Sequence, residues 1–231
     1  MPIGVITNCS AVLFGGILGT IFGKFISKET EQALTVTFGL GAVAIGITSI
    51  MKYSATTPVI LALILGTTIG NLLKLEKRIE GLFRRLLNAL PLNSSHLDMD
   101  RYITIVVIFC ASGFGIFGSL TEGITGDPTL LISKSVLDLF TAIIFAGAMG
   151  LSVSVIAFPQ FLVFGALFLS AQMISPLISA TAMNNFIACG GIMTMASGMK
   201  MAKLQSFPIG DMIPALILVP LMTNLWELLP F

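Results

Sequence analysis

The sequence predicts an all-α protein, a polytopic transmembrane helical bundle, on three observations. Of its 231 residues 55% are apolar and only 10% are charged. Mean hydropathy is +1.00, whereas a water-soluble chain carries roughly a quarter of its residues as charges. The apolar residues also come in runs close to the ~20 residues that cross a hydrocarbon core of about 30 Å at about 1.5 Å per residue. Lipid is therefore the expected solvent, and 1–231 reads as a single membrane domain.

Ile3 to Phe22 forms the first predicted span, Ala33 to Met51 the second, Pro58 to Leu73 the third and Tyr102 to Ser119 the fourth. The amino terminus has neither a cationic region nor a small-residue cleavage site, so the first run is read as a span and not a cleaved signal. The fifth span starts at Asp127-Pro128, where the carboxylate can accept from free N–H groups and proline fits the first turn. Between Asp138 and Lys200 no residue is charged, a stretch long enough for nearly three crossings. Phe158-Pro159 is the expected end of the fifth span and start of the sixth, and Pro176 to Asn185 separates the sixth from the seventh. Met212 to Trp226 contains Pro214 and Pro220 and reads as a kinked or short eighth span. The expected count is about eight spans, with seven the alternative.

Lys and Arg accumulate in short cytoplasmic loops. With the amino terminus outside, the inner turns hold Lys24, Lys28, Lys74, Lys77, Arg78, Arg84, Arg85, Arg101, Lys200 and Lys203, while the outer turns hold Lys52. Both termini are thus expected on the outer side. The cytoplasmic segment 74–101 contains an amphipathic helix, in which Leu75, Ile79, Leu82, Phe83, Leu86 and Leu90 recur opposite Lys77, Arg78, Glu80, Arg84 and Arg85. It is expected to lie on the inner leaflet with its cations toward anionic head groups. His96 falls in the loop beyond it. Cys9, Cys110 and Cys189 sit in apolar runs without metal-ligand or disulfide spacing.

Small residues recur every four positions, as Gly15, Gly19 and Gly23; Gly66 and Gly70; Ala111, Gly115 and Ser119; Ala146 and Gly150; and Gly190, Thr194 and Gly198. In lipid, such rows let helix backbones approach closely. A second expectation attaches to Gly39, Gly41, Gly113, Gly115, Gly190 and Gly191, which would mark unwound or closely crossing places along a pathway. Lys134 and Asp138 are the charged pair set inside an otherwise apolar span. Counted from Asp127, Asp138 lies about 16 Å and Lys134 about 10 Å along the helix, toward the membrane midplane. A charge at that depth costs at least about 2.5 kcal/mol.

Four-residue spacing puts Lys134 and Asp138 on one helix face, which Thr141 extends. The pair reads either as self-neutralising or as a site for a sodium ion or proton in a hydrated pathway. Asn8, Ser10, Thr48, Ser49, Gln160, Gln172, Asn184, Asn185 and Asn224 offer further oxygens of the type that suits a hard monovalent cation. The candidate pathway residues are Asp138, Lys134, Thr141, Asn8, Asn185, Gly190 and Gly191, with a monovalent cation at Asp138 as the metal they would take.

No zinc-protease, serine-hydrolase, P-loop or dinucleotide fingerprint occurs. The sequence therefore predicts no enzyme and no cofactor, and its net charge of +1 offers nothing to nucleic acid. Membrane lipid, a sodium ion or proton and, through the glycine rows, further copies of the chain are the expected partners. A set of motifs spanning essentially the whole chain resembles the YqgA-like bacterial inner-membrane family, domain of unknown function 554. The set comprises Asn8 with Gly15-Gly16 and Gly19, Gly39 to Gly46, Gly66 and Gly70 ahead of Leu75-Glu76, Gly126-Asp127 with Lys134-Ser135 and Asp138, Gly190-Gly191 with Gly198, and Pro214-Ala215-Leu216. The resemblance implies a multi-pass protein of the bacterial cytoplasmic (inner) membrane, with the periplasm as the outer side, and a sodium channel or pump as the activity to test. The leading expectation is a cation channel or ion-coupled secondary transporter. The alternative is a non-transporting oligomeric membrane scaffold or lipid-interacting protein.

Overall fold

The computed structural model of the chain describes residues 1–88, 99–174 and 178–228, and among them every regular element is helical. The elements are α1 (Ile3–Phe22), α2 (Lys28–Ile50), α3 (Thr56–Leu73), α4 (Leu75–Asn88), α5 (Met99–Cys110), α6 (Gly113–Thr125), α7 (Thr129–Met149), the single turn α8 (Ser152–Val155), α9 (Ala157–Ile174), α10 (Ala180–Met201), the single turn α11 (Ile209–Met212) and α12 (Pro214–Glu227). Leu90, His96 and Pro176 lie outside the described residues.

Among the described residues, seven segments are long and apolar enough to cross a membrane: α1, α2, α3, Ile105–Thr125, α7, Ser152–Met173 and Ile209–Glu227. At 22 residues α10 has the length, but Asn184, Asn185 and its paired glycines keep it below that apolarity. The distribution of side chains inverts that of a soluble helix. The buried edge of α1 carries Gly4, Asn8, Gly15, Gly16 and Gly19, whereas Ile6, Leu13, Phe14, Ile17, Ile21 and Phe22 face outward. Lipid is as apolar as leucine, so large apolar residues face it and small or polar ones make the helix contacts.

The chain forms two compact units, one of Met1–Thr35 with Ile79–Met173, the other of Val36–Arg78 with Ile174–Phe231. In the first, α1 and α7 run parallel along the predicted glycine row. A Cβ at Gly15 would lie 2.6 Å from the Leu139 carbonyl oxygen, one at Gly19 2.3 Å from that of Ile143, and one at Gly23 2.6 Å from Gly147 Cα. No side chain larger than hydrogen fits at these three positions. Val12, Tyr102, Val106, Phe109, Ala142, Val153 and Ile156 form the buried apolar core beside it. In the second unit, α2 packs antiparallel on α10, with Gly39 against Gly198 and Gly46 against Gly191, and α3 packs antiparallel on α11 and α12, with Gly66 against Ala215 and Gly70 against Asp211. Within each unit these directions match those of alternating crossings that include α10.

Several boundaries differ from expectation. The predicted fourth span is two helices, α5 and α6, broken at Ala111-Ser112. The fifth span ends at Gly150 and not at Phe158-Pro159. Gly150 takes a φ of 64° that stops α7, while Pro159 is the third residue of α9, where a helix leaves its N–H groups unbonded and proline is tolerated. Pro214 begins α12 and Pro220 lies within it. Asp127 acts as expected, its Oδ1 accepting the Thr129 N–H at 2.9 Å. The amphipathic helix is present as α4, with Glu80 and Arg84 paired across one turn at 3.9 Å.

Candidate functional site

The buried edge of α7 is made of Leu131, Lys134, Ser135, Asp138 and Ala142. Their three- and four-residue spacing defines one helix face, and the α1–α7 glycine seam places that face beside Asn8. Lys134 is 3% exposed, Asp138 6% and Asn8 fully buried. The Lys134 ammonium donates to Asp138 Oδ2. Asn8 Nδ2 donates to the same oxygen at 2.9 Å, and Gln160 Nε2, from α9, approaches it at 3.3 Å. One carboxylate oxygen thus receives donors from α1, α7 and α9.

Gln160 reaches further. Its Nε2 also donates to Asn8 Oδ1 at 2.9 Å and to the Phe109 carbonyl at 3.3 Å. A backbone carbonyl can only accept, so the amide nitrogen has to face Phe109, which fixes the orientation of the Gln160 side chain. Gln160 is fully buried, and its Oε1 has no hydrogen-bonding partner among the described residues.

Phe109 stands at the end of α5, immediately before the break. Ser112 has extended backbone and its side chain accepts the Gly115 N–H at 3.1 Å, capping α6. A Cβ on Gly115 would lie 2.2 Å from the Phe164 ring and 3.1 Å from Lys134 Cε, so glycine is what lets α6 lie against the lysine stem. The ammonium sits 5.7 Å from the centre of the Phe164 ring, within cation–π range. A broken helix, an ion pair and two amides therefore meet at one place in the first unit.

Of the predicted pathway residues, Asn8, Lys134 and Asp138 are brought together. Thr141 is half-buried and bonds back to the Leu137 carbonyl at 2.7 Å, an ordinary intrahelical contact. Asn185, Gly190 and Gly191 lie in the second unit, whereas Asn8, Lys134 and Asp138 lie in the first. Asn185 Oδ1 accepts the N–H groups of Ser54 and Ala55, both at 3.0 Å, ahead of α3, and its Nδ2 donates to Thr223 Oγ1 at 3.0 Å. Gly190 accepts from Thr194 Oγ1 at 2.9 Å, and Gly191 packs on the Gly46 carbonyl. Gln172 and Asn224 are exposed. Among the other predicted crossing or unwound positions, Gly113 opens α6 at the break, whereas Gly41 lies inside the continuous α2.

Sequence reasoning passed over two buried carboxylates. Glu122 is 1% exposed and accepts the N–H groups of Gly4 at 2.7 Å and Val5 at 3.2 Å. Ending the fourth span at Ser119 put Glu122 in a loop, although Gly123 continues the row of Gly115 and Ser119 and carries the helix on. Asp211, 8% exposed, accepts the Glu76 N–H at 2.9 Å, and Glu76 in return accepts the Gly210 N–H at 3.2 Å and Lys200 Nζ at 2.9 Å. The starts of α4 and α11 thereby cap one another.

Fold and site together define a helical multi-pass membrane protein with a buried, hydrogen-bonded ion pair inside one span. The chain belongs to the DUF554 family, described as a protein of unknown function, which it matches over residues 3–224. It is similar to the uncharacterized protein YqgA of Escherichia coli strain K12, at 39% identity over 233 residues, 98% of this chain and 98% of that one. It is also similar to the uncharacterized membrane protein YdfK of Bacillus subtilis strain 168, at 29% identity over 221 residues, 94% of this chain and 93% of that one. No solved structure matches it.

Proposed function

We propose that this chain transports a monovalent cation, a sodium ion or a proton, as a channel or ion-coupled secondary carrier, with Asp138 as the binding carboxylate. The observation that supports the reading is the convergence of Asp138, Lys134, Asn8 and Gln160 on the α5–α6 break. Transporters bind ions where a spanning helix is interrupted and its backbone carbonyls are freed. A buried ion pair adds little stability over apolar packing, so a structural role alone gives weak reason to keep it. In this reading Lys134 is the internal counter-ion that pairs with the ionised Asp138 until a cation displaces it. The function involves no enzymatic step. The exposed Arg84 and Arg85 of α4 face the head groups of the inner leaflet of a bacterial inner membrane, and both termini are periplasmic.

Flux of sodium and of protons into proteoliposomes tests the proposal. Wild-type protein should carry one of them and Asp138→Asn should not. Equal flux from a folded Asp138→Asn variant makes the carboxylate structural and ends the reading.

A second reading, an oligomeric membrane scaffold without transport, is favoured by the closure of the pair, with Lys134 3% and Asp138 6% exposed. It predicts no flux above empty vesicles and a defined oligomer in lipid nanodiscs.

A further inference from the structure

We infer that Gln160 couples the charge state of the Asp138 carboxylate to the α5–α6 break, an inference that rests on the transport reading. The Gln160 amide has two hydrogens and faces three acceptors. Asn8 Oδ1, at 2.9 Å, takes one. Asp138 Oδ2 and the Phe109 carbonyl, each at 3.3 Å, compete for the other.

The competitors differ in charge, and a hydrogen bond to an ionised acceptor is about twice as strong as one between neutral groups. An anionic Asp138 draws the shared hydrogen to itself and leaves the Phe109 carbonyl underserved. Once a proton takes the place of Lys134 and leaves Asp138 uncharged, the hydrogen turns to Phe109 and fastens the end of α5. The bond to Asn8 is kept throughout and serves as the pivot. Gln160 is thus a positioning residue, acting on the broken helix through one carbonyl.

Cys110, the residue after Phe109, is fully buried and reports on that end of α5. With Cys9 and Cys189 replaced by alanine, the alkylation rate of Cys110 by N-ethylmaleimide is measured on purified protein in four forms: parent, Asp138→Asn, Gln160→Met and the double variant. Asp138→Asn stands for the protonated, uncharged carboxyl. It should slow alkylation about fivefold beside Gln160, the factor one ordinary hydrogen bond is worth, and have no effect beside Gln160→Met. Gln160→Leu replaces Gln160→Met if the latter is not monodisperse, and Lys134→Met is added to Asp138→Asn if the unpaired lysine unfolds it. Equal effects of Asp138→Asn in both backgrounds overturn the coupling. Where flux still depends on Asp138, that result leaves the transport reading standing. Flux independent of Asp138 removes both.

Discussion

The Glu122 carboxylate holds the amino end of α1, its Oε1 accepting the Gly4 N–H at 2.7 Å and its Oε2 the Val5 N–H at 3.2 Å. The first N–H groups of a helix have no partner in their own helix, and no side chain caps α1 at Pro2. A carboxylate at that end also meets the positive pole of the helix dipole. The contact requires Gly4, because a Cβ there would lie 2.8 Å from Glu122 Oε2 and 2.8 Å from Leu131 Cβ.

Removing this acceptor should therefore destabilise the first unit. Each buried N–H left unbonded costs about 1–3 kcal/mol, so Glu122→Ala should unfold at a clearly lower temperature in detergent. Glu122→Gln, which keeps one acceptor oxygen, should fall between it and wild type. An alanine variant that melts with the wild type would mean that α1 does not depend on Glu122.

The glycine seam makes a sharper contrast. Gly19→Ala would drive a methyl to within 2.3 Å of the Ile143 carbonyl oxygen, whereas Gly165→Ala meets nothing within 4 Å. The first must push α1 from α7 and should lose several degrees of thermal stability. The second gains helix propensity, up to ~1 kcal/mol, and should melt at or above wild type. If both variants behave alike in a thermal scan, close packing is not what Gly19 provides.

Much of this could be read in the sequence because lipid imposes it. Long apolar runs read as spans, and small residues every four positions mostly pack helix on helix, although Gly150 meets nothing within 4 Å and ends α7 instead. Asp138 and Lys134 stood out for the same reason, as charges that hydrocarbon does not tolerate unpaired. Partner choice was not legible. Asn8 and Asn185 each precede a glycine pair, yet one meets Asp138 and the other caps α3. Nothing local distinguishes them, since the difference lies in which helix each happens to face. The break at Ala111-Ser112 was legible only in part: Gly113 and Gly115 read as places of unwinding or close crossing, but so does Gly41 inside the continuous α2, and the run stays apolar across the break.

Orientation can be checked with single cysteines in a cysteine-free background. Tyr53 and Arg85 are both exposed, and the cation distribution puts them on opposite sides. In intact cells a membrane-impermeant maleimide should label Tyr53→Cys directly and Arg85→Cys only after permeabilisation. The opposite pattern would invert the topology.

The ion pair separates the two functional readings once its contribution to stability has been replaced. Lys134→Met leaves Asp138 buried with Asn8 and Gln160 as its remaining donors, and breaking a buried pair from one side costs about 3–5 kcal/mol. Adding Asp138→Asn removes the stranded charge while keeping an oxygen for those amides to meet, so the double variant should recover most of that loss. Thermal unfolding of the two variants beside wild type measures both steps, and recovery is expected whether or not the protein transports ions. Flux then discriminates between the readings. Where the wild type carries flux, a double variant that is stable yet silent in proteoliposomes assigns the pair to transport, because its structural contribution has been replaced. Flux unchanged from wild type would show that Lys134 and Asp138 serve only to neutralise each other.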